Sequence, residues 1–178
     1  MRTLRRGEII EGFARVLAEH GYAGATIAAV ADEAGVAPGL VHHYFADKAE
    51  LLDGLVLMLT ERFAQRVRAS TDAEPLNAYI DSALRLDGSP DTIAARCWVG
   101  VLAEAVRDPM LFARVRKLVD SELEVIQRRS RGKLSEKDAG AVLAFIVGAL
   151  VLGAFAPRKT SGFAAPALHT LVDALALR

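Results

Sequence analysis

The sequence predicts an all-α fold. Apolar residues recur at three- and four-residue spacing through most of the chain, Gly and Pro clusters interrupt that pattern at helix-length intervals, and no β-branched alternation survives between them. The 178 residues are enough for one or two domains with an apolar core, without help from disulfides or structural metal.

Residues 4–20 read as a first helix, with Ile10, Phe13, Ala14 and Leu17 in one apolar stripe and Gly21 placed to end it. Thr26 suits the cap of a second helix because its hydroxyl can accept from a first-turn N–H. Ile27, Val30, Ala31 and Ala34 then repeat the stripe until Gly35 breaks it. Residues 37–45 predict a third helix of barely two turns, with Pro38 in the first turn, where its missing N–H is harmless. At 100° per residue, Val41 and Phe45 share one side of that helix, Leu40 and Tyr44 flank it, Gly39 and His43 point away, and His42 lies on the opposite flank. Asp47 and Glu50 have capping-box spacing for a fourth helix, whose stripe of Leu51, Leu52, Leu55, Met58, Leu59 and Phe63 carries it to about residue 69. Beyond the polar residues 70–75, helices are expected at 76–86, 92–106, 110–131, 135–155 and 164–177. Turn signals at 87–91, Asp108-Pro109, Gly132 and 157–162 separate them.

Lys and Arg number 22 and Asp and Glu number 22, so net charge does not mark a nucleic-acid binder. In the first fifty residues Arg2, Arg5, Arg6, Arg15 and Lys48 are outnumbered by Glu8, Glu11, Glu19, Asp32, Glu33, Asp47 and Glu50, a net of −2. Phosphate contact depends on where charge lies, and these cations sit at the N-terminus and beside the third helix. The single cysteine, Cys97, can form no intramolecular disulfide, and the N-terminal residues lack an uninterrupted apolar run and do not read as a secretory signal. Both point to a reducing, cytoplasmic location.

The short third helix presents small residues, Ala37, Pro38 and Gly39, followed by the hydrogen-bonding groups of His42, His43 and Tyr44. That combination suits a helix entering a DNA groove about 12 Å wide; the competing reading is a bundle helix with surface histidines. Its surroundings decide for the first. Thr26, Val30-Ala31, Ala34-Gly35-Val36, Gly39, Tyr44-Phe45, Lys48 and Leu51-Leu52 resemble the N-terminal domain of the tetracycline-repressor (TetR) family. The resemblance implies a helix-turn-helix DNA-binding domain over residues 1–50 and a helical ligand-binding and dimerisation domain over residues 51–178. It implies phosphate contacts from Thr26, His42, Tyr44 and Lys48, and base-edge contacts from Ala37, Pro38, Gly39 and His43. Ala37 stands where the family commonly has Ser or Thr, and Ala28 where it frequently has Arg. Both departures remove side chains that could contact a phosphate, which implies weaker binding or more reliance on Arg2, Arg5 and Arg6.

Residues 139–156 form an uncharged apolar run of membrane-span length, with Gly140, Ala144 and Gly148 spaced for close helix approach. The run covers only about 27 Å and has no aromatic belt, so it is expected to be a helix buried on several sides rather than a span. A 178-residue monomer offers little protein to cover it. A homodimer joined through about residues 135–156 and 164–177 would, and the family resemblance implies the same pairing. Met58, Arg62, Phe63, Tyr79, Trp98, Leu102 and Phe112 are candidates for a partly apolar small-molecule pocket, although core packing explains most of them individually. The basic run of Arg128, Arg129, Arg131 and Lys133 reads as a solvated helix end favoured by the macrodipole. No nucleophile-base spacing, phosphate loop or metal-ligand spacing is present, so neither an enzyme nor a cofactor is expected. The expected activity is ligand-responsive transcriptional regulation, most simply repression at a palindromic operator. The alternatives are an interaction module on the same fold that does not read DNA and a single-span membrane protein.

Overall fold

A computed structural model describes residues 2–86 and 88–177, apart from the side chains at positions 2, 3 and 89. The Arg2 side chain of the expected basic arm and Asp87 of the expected turn lie outside the described residues. Among the described residues there are nine helices and no strand: α1 (Arg2–Gly24), α2 (Ile27–Glu33), α3 (Pro38–Tyr44), α4 (Lys48–Ala69), α5 (Pro75–Ala83), α6 (Ser89–Ala105), α7 (Pro109–Arg129), α8 (Glu136–Phe155) and α9 (Pro157–Ala176). They form two compact units, Met1–Ala64 and Gln65–Arg178, and α4 contributes residues to both.

The first unit is built around the stripes expected from the sequence. Ile9, Ile10, Phe13 and Leu17 of α1, Val30 and Ala31 of α2, Val41 of α3, Phe45, and Leu51, Leu52 and Leu55 of α4 are all buried. Each large apolar side chain withdrawn from water contributes roughly 1.5–3 kcal/mol, which outweighs the weak helical tendency of elements as short as α2 and α3. Gly21 has φ 70° and leaves the helical conformation inside α1, so the last residues of that element turn away from its axis.

In the second unit α8 packs against α6, α7 and α9. Ser135 and Asp138 close a full capping box at its start. Ala139, Val142, Ile146, Ala149 and Gly153 form its buried stripe. The opposite face carries Ala141, Ala144, Gly148, Val151, Leu152 and Phe155, all exposed. The helix expected to be buried on several sides is therefore buried on one side within the chain. It is the described helix long and apolar enough to cross a membrane, and 33% of its most apolar window is buried.

Several element limits differ from the sequence expectation: α1 runs on to Gly24 past residue 20, and α6 starts at Ser89 instead of residue 92. Helix α5 stops at Ala83, and α9 starts at Pro157 instead of residue 164. Pro157 occupies the first turn of α9, the one place in a helix where a missing N–H costs nothing, so a residue that reads as a helix breaker is a helix start. The basic run fastens α7 to the start of α5. Arg129 donates to the Pro75 carbonyl at 3.2 Å and lies over the Tyr79 ring, and Arg131 pairs with Glu74 at 3.6 Å.

Candidate DNA-reading head and effector region

The turn between α2 and α3 is set by three local devices. Thr26 has extended backbone angles and its hydroxyl accepts from the Ala29 N–H at 3.2 Å, capping α2 as its chemistry suggested. At the other end the Val36 N–H reaches the Ala31 carbonyl at 2.9 Å and the Gly35 N–H reaches the Asp32 carbonyl at 3.1 Å. This pair of bonds is a Schellman closure, which requires a left-handed residue after the cap, and Gly35 supplies it with φ 65°. The chain then enters α3 through Ala37, an N-cap with no side-chain hydrogen bond, and Pro38 in the first turn.

Helix α3 is held from behind. Val41 and Phe45 are buried, and the Arg6 guanidinium lies 4.9 Å from the centroid of the Phe45 ring. Its other side is open: Ala37, Pro38, Gly39, His42 and His43 are exposed, while Tyr44 is half-buried and meets the His43 ring edge-on at 5.2 Å. Five of the eight residues expected to touch DNA thus share the outward surface of one two-turn helix. Thr26, whose hydroxyl caps α2, is exposed as well.

Lys48, the eighth, is placed differently from a free surface lysine. It is half-buried, its ammonium lies 4.0 Å from the centroid of the Tyr22 ring, and it donates to the Tyr22 carbonyl. Around it the start of α4 is capped by its own carboxylates. The Glu50 N–H donates to Asp47 at 2.8 Å, and Glu50 returns to accept from Ala46 at 2.7 Å, one residue earlier than a standard capping box. Tyr22 is the participant that sequence reasoning missed. The signal for it was an aromatic residue directly after a glycine that ends a helix.

The charge balance is reorganised by pairing. Arg5 bonds Glu8 at 2.8 Å, Arg15 pairs with Glu33, and Arg62 bonds Glu11 at 2.6 Å. All six side chains are substantially exposed. Such pairs are worth about 0–1 kcal/mol, so a phosphate competes with them easily.

The residues expected to bind a small molecule fall in both units. Met58 and Phe63 are half-buried in α4, and Arg62 is taken by Glu11. In the second unit Trp98 and Leu102 are half-buried on α6, and Phe112 is 55% exposed on α7. Tyr79 is buried with its hydroxyl donated to Glu122; burial first, and then the Glu122 charge, raise its phenol well above the ordinary value. Cys97 is fully buried in α6, and burial pushes its thiol up to about 12, which makes it a packing residue rather than a nucleophile. A crevice of about 400 Å³ lies elsewhere in this unit, lined by Leu86, Gly88, Thr92, Ile93, Arg96, Pro157 and Arg158. Among the described residues no group of three or more His, Cys, Asp or Glu is arranged to hold a metal.

Residues 9–55 match the family described as bacterial regulatory proteins, tetR family. Along almost the whole chain the protein is similar to the HTH-type transcriptional regulator BetI of Brucella anthropi, with 32% identity over 177 residues, 92% of this chain and 90% of that one. Among solved structures, a transcriptional regulator from Rhodococcus superposes with TM-score 0.81 at 23% identity over 96% of this chain and 95% of that one. A regulator from Saccharomonospora viridis in complex with choline does so with TM-score 0.73 at 18% identity, covering 96% of each. A capped α2, a glycine closure and an outward-facing α3 occupy the stretch that the family pattern matches, and the kinship runs through nine-tenths of the chain: the protein belongs to the tetR family, helix-turn-helix DNA-binding regulators of transcription.

Proposed function

We propose that this regulator works as a cytoplasmic homodimer on a palindromic operator and that a small molecule releases it. The observation that carries the reading is the division of α3 into a buried side, Val41 and Phe45, and an open side, Ala37, Pro38, Gly39, His42 and His43. Small residues at the first turn let the backbone approach base edges, and the histidines stand one turn further on. Thr26, Tyr44 and Lys48 serve as phosphate contacts in this scheme, and Arg5 and Arg6 supplement them at the N-terminus.

The exposed apolar face of α8 supports the dimer. Ala144 and Gly148 lie on its exposed apolar face together with Leu152, 54% exposed, and Phe155, 80% exposed. Phe163 of α9 is exposed as well. A second copy seated on α8 and α9 removes that surface from water and forms a four-helix bundle. A dimer carries two α3 helices, one for each half-site of a palindrome with half-sites roughly 34 Å apart, or a multiple of that.

The effector reading rests on the half-buried aromatic and apolar groups Trp98 and Leu102 of the second unit. A ligand that prefers one spacing of the reading heads changes operator affinity only through that preference, typically about 1–3 kcal/mol. Choline, held by one protein of the same fold, is a sensible first probe, since an aromatic face such as that of Trp98 attracts quaternary ammonium groups.

Selection of bound sequences from a random DNA pool tests the whole reading. The expected product is an inverted repeat bound by two chains, and the enriched duplex then serves to screen compounds for release. Enrichment of nothing, or of a single half-site bound by one chain, overturns it.

A further inference from the structure

The pairing of Tyr22 with Lys48 has a role that neither residue suggests alone. Lys48 is the first residue of α4, while Tyr22 belongs to the last turn of α1, just past the left-handed Gly21. With φ 70° and ψ 176° at Gly21, the chain swings off the α1 axis and brings both the ring and the carbonyl of Tyr22 to the Lys48 ammonium. The ring centroid is 4.0 Å from Nζ and the carbonyl accepts from it. A lysine side chain has four rotatable bonds and ordinarily samples many positions; here ring and carbonyl confine its charged end.

We propose that Tyr22 is a positioning residue for DNA binding: it holds the Lys48 ammonium at the start of α4, so that a phosphate meets a cation already in place. The inference rests on the reading of α3 and the start of α4 as the DNA-contacting surface. Three features of the local chemistry support it. Asp47 and Glu50 already occupy backbone N–H groups at this helix start, so the helix end offers a phosphate less than an uncapped one does. Those same two carboxylates flank Lys48 in sequence and would draw an unconfined ammonium away from a phosphate. Ala28 and Ala37 contribute no polar side chain. The placement of one cation therefore carries more of the contact.

The test uses the full-length protein and its selected operator duplex, with Tyr22→Phe, Tyr22→Trp, Tyr22→Leu, Lys48→Ala and the Tyr22→Leu/Lys48→Ala double variant. Phe and Trp keep a ring face and the backbone carbonyl, so operator affinity stays at the wild-type level. Leu removes the ring and weakens binding about fivefold per half-site, the worth of an exposed cation–π contact. It also flattens the salt dependence by about 0.9 per half-site, the slope of one phosphate contact. The double variant matches Lys48→Ala alone. In the free protein, the Lys48 ε-methylene protons are shifted upfield by the ring in wild type, Phe and Trp proteins and not in Leu. A Tyr22→Leu protein that melts lower but keeps the wild-type salt slope shows that the contact only braces α1 against α4, and the proposal fails. The same holds if the methylene shift is missing from wild type. A wild-type protein that binds no DNA removes the DNA-reading function itself, whereas DNA binding with an unchanged Leu variant removes only the role of Tyr22.

Discussion

The Val36 N–H donates to the Ala31 carbonyl at 2.9 Å across Gly35, and that bond exists only because Gly35 holds φ at 65°. An L side chain at this φ costs about 1–2 kcal/mol, so Gly35→Ala is expected to lower stability by that amount. For a chain of this size the melting temperature falls by about 2–4 °C per kcal/mol. Operator affinity falls with it, because the closure sets the direction in which α3 leaves α2. Thermal unfolding monitored by circular dichroism measures the first effect and a mobility shift the second. An alanine variant with the wild-type melting temperature would contradict the left-handed turn.

The exposed face of α8 makes a prediction about assembly. Among the described residues, nothing beyond its chain neighbours and its own helix backbone lies within 4 Å of where a Cβ would stand on Gly148, so a larger residue there is accommodated within the chain. Gly148→Glu therefore leaves the monomer folded while burying an unpaired carboxylate in the proposed dimer. The expected result is a helical monomer by light scattering, with operator binding weaker by about 10²–10⁴ through loss of bivalency. A Gly148→Glu protein that remains a dimer at micromolar concentration moves the interface off this face.

The reading head was legible in the sequence because its signals are local. Thr26, Gly35, Pro38 and the Asp47 and Glu50 pair each act within a few residues of their own positions, and each does in the structure what its chemistry indicates. Pro157 was ambiguous for the same reason: proline closes a chain segment or opens a helix, and the residues beside it do not distinguish the two. The Lys48 contact was out of reach because its partner is 26 residues away. The burial of α8 was hidden by its own composition. Both faces are apolar, so periodicity carries no information on which side meets α6, α7 and α9. Tyr79 reads as a pocket aromatic, and only the packing of α5 on α7 reveals that its hydroxyl is taken by Glu122.

Two buried acids predict how the protein behaves in alkali. Cys97 is raised from 9.0 to about 12 by burial, and Tyr79 is raised by burial and by Glu122. The folded state therefore keeps protons that the unfolded state has released, and stability falls as pH rises. The contribution of Cys97 is complete below pH 9.0 and disappears toward about pH 12. Cys97→Ala is expected to flatten the loss of denaturation free energy with pH over that window, although it leaves a small cavity that lowers stability at every pH. A thiol reagent should modify Cys97 in denaturant and not in the native protein near neutrality. Equal slopes for wild type and variant above pH 9.0 would place the thiol in water.

The histidines make the last prediction. His42 and His43 are exposed on the outward surface of α3, and the ring of His43 stands edge-on to Tyr44, so neither is engaged in the core. An imidazole ring N–H can donate to a phosphate oxygen or to a base edge, and the neighbouring side chains, Ala37, Pro38 and Gly39, are small and offer no competing polar group. Losing a phosphate contact weakens binding by a similar factor on every sequence, whereas losing a base-edge contact relaxes preference at one position. The two effects separate the residues. The family resemblance gives His42 the phosphate and His43 a base edge, so His42→Ala should weaken binding to specific and non-specific duplexes alike. His43→Ala should instead relax sequence preference in a selection from random DNA. If the doubly substituted protein keeps the wild-type affinity and the wild-type preference, the histidine-bearing face of α3 is not the surface that meets the operator.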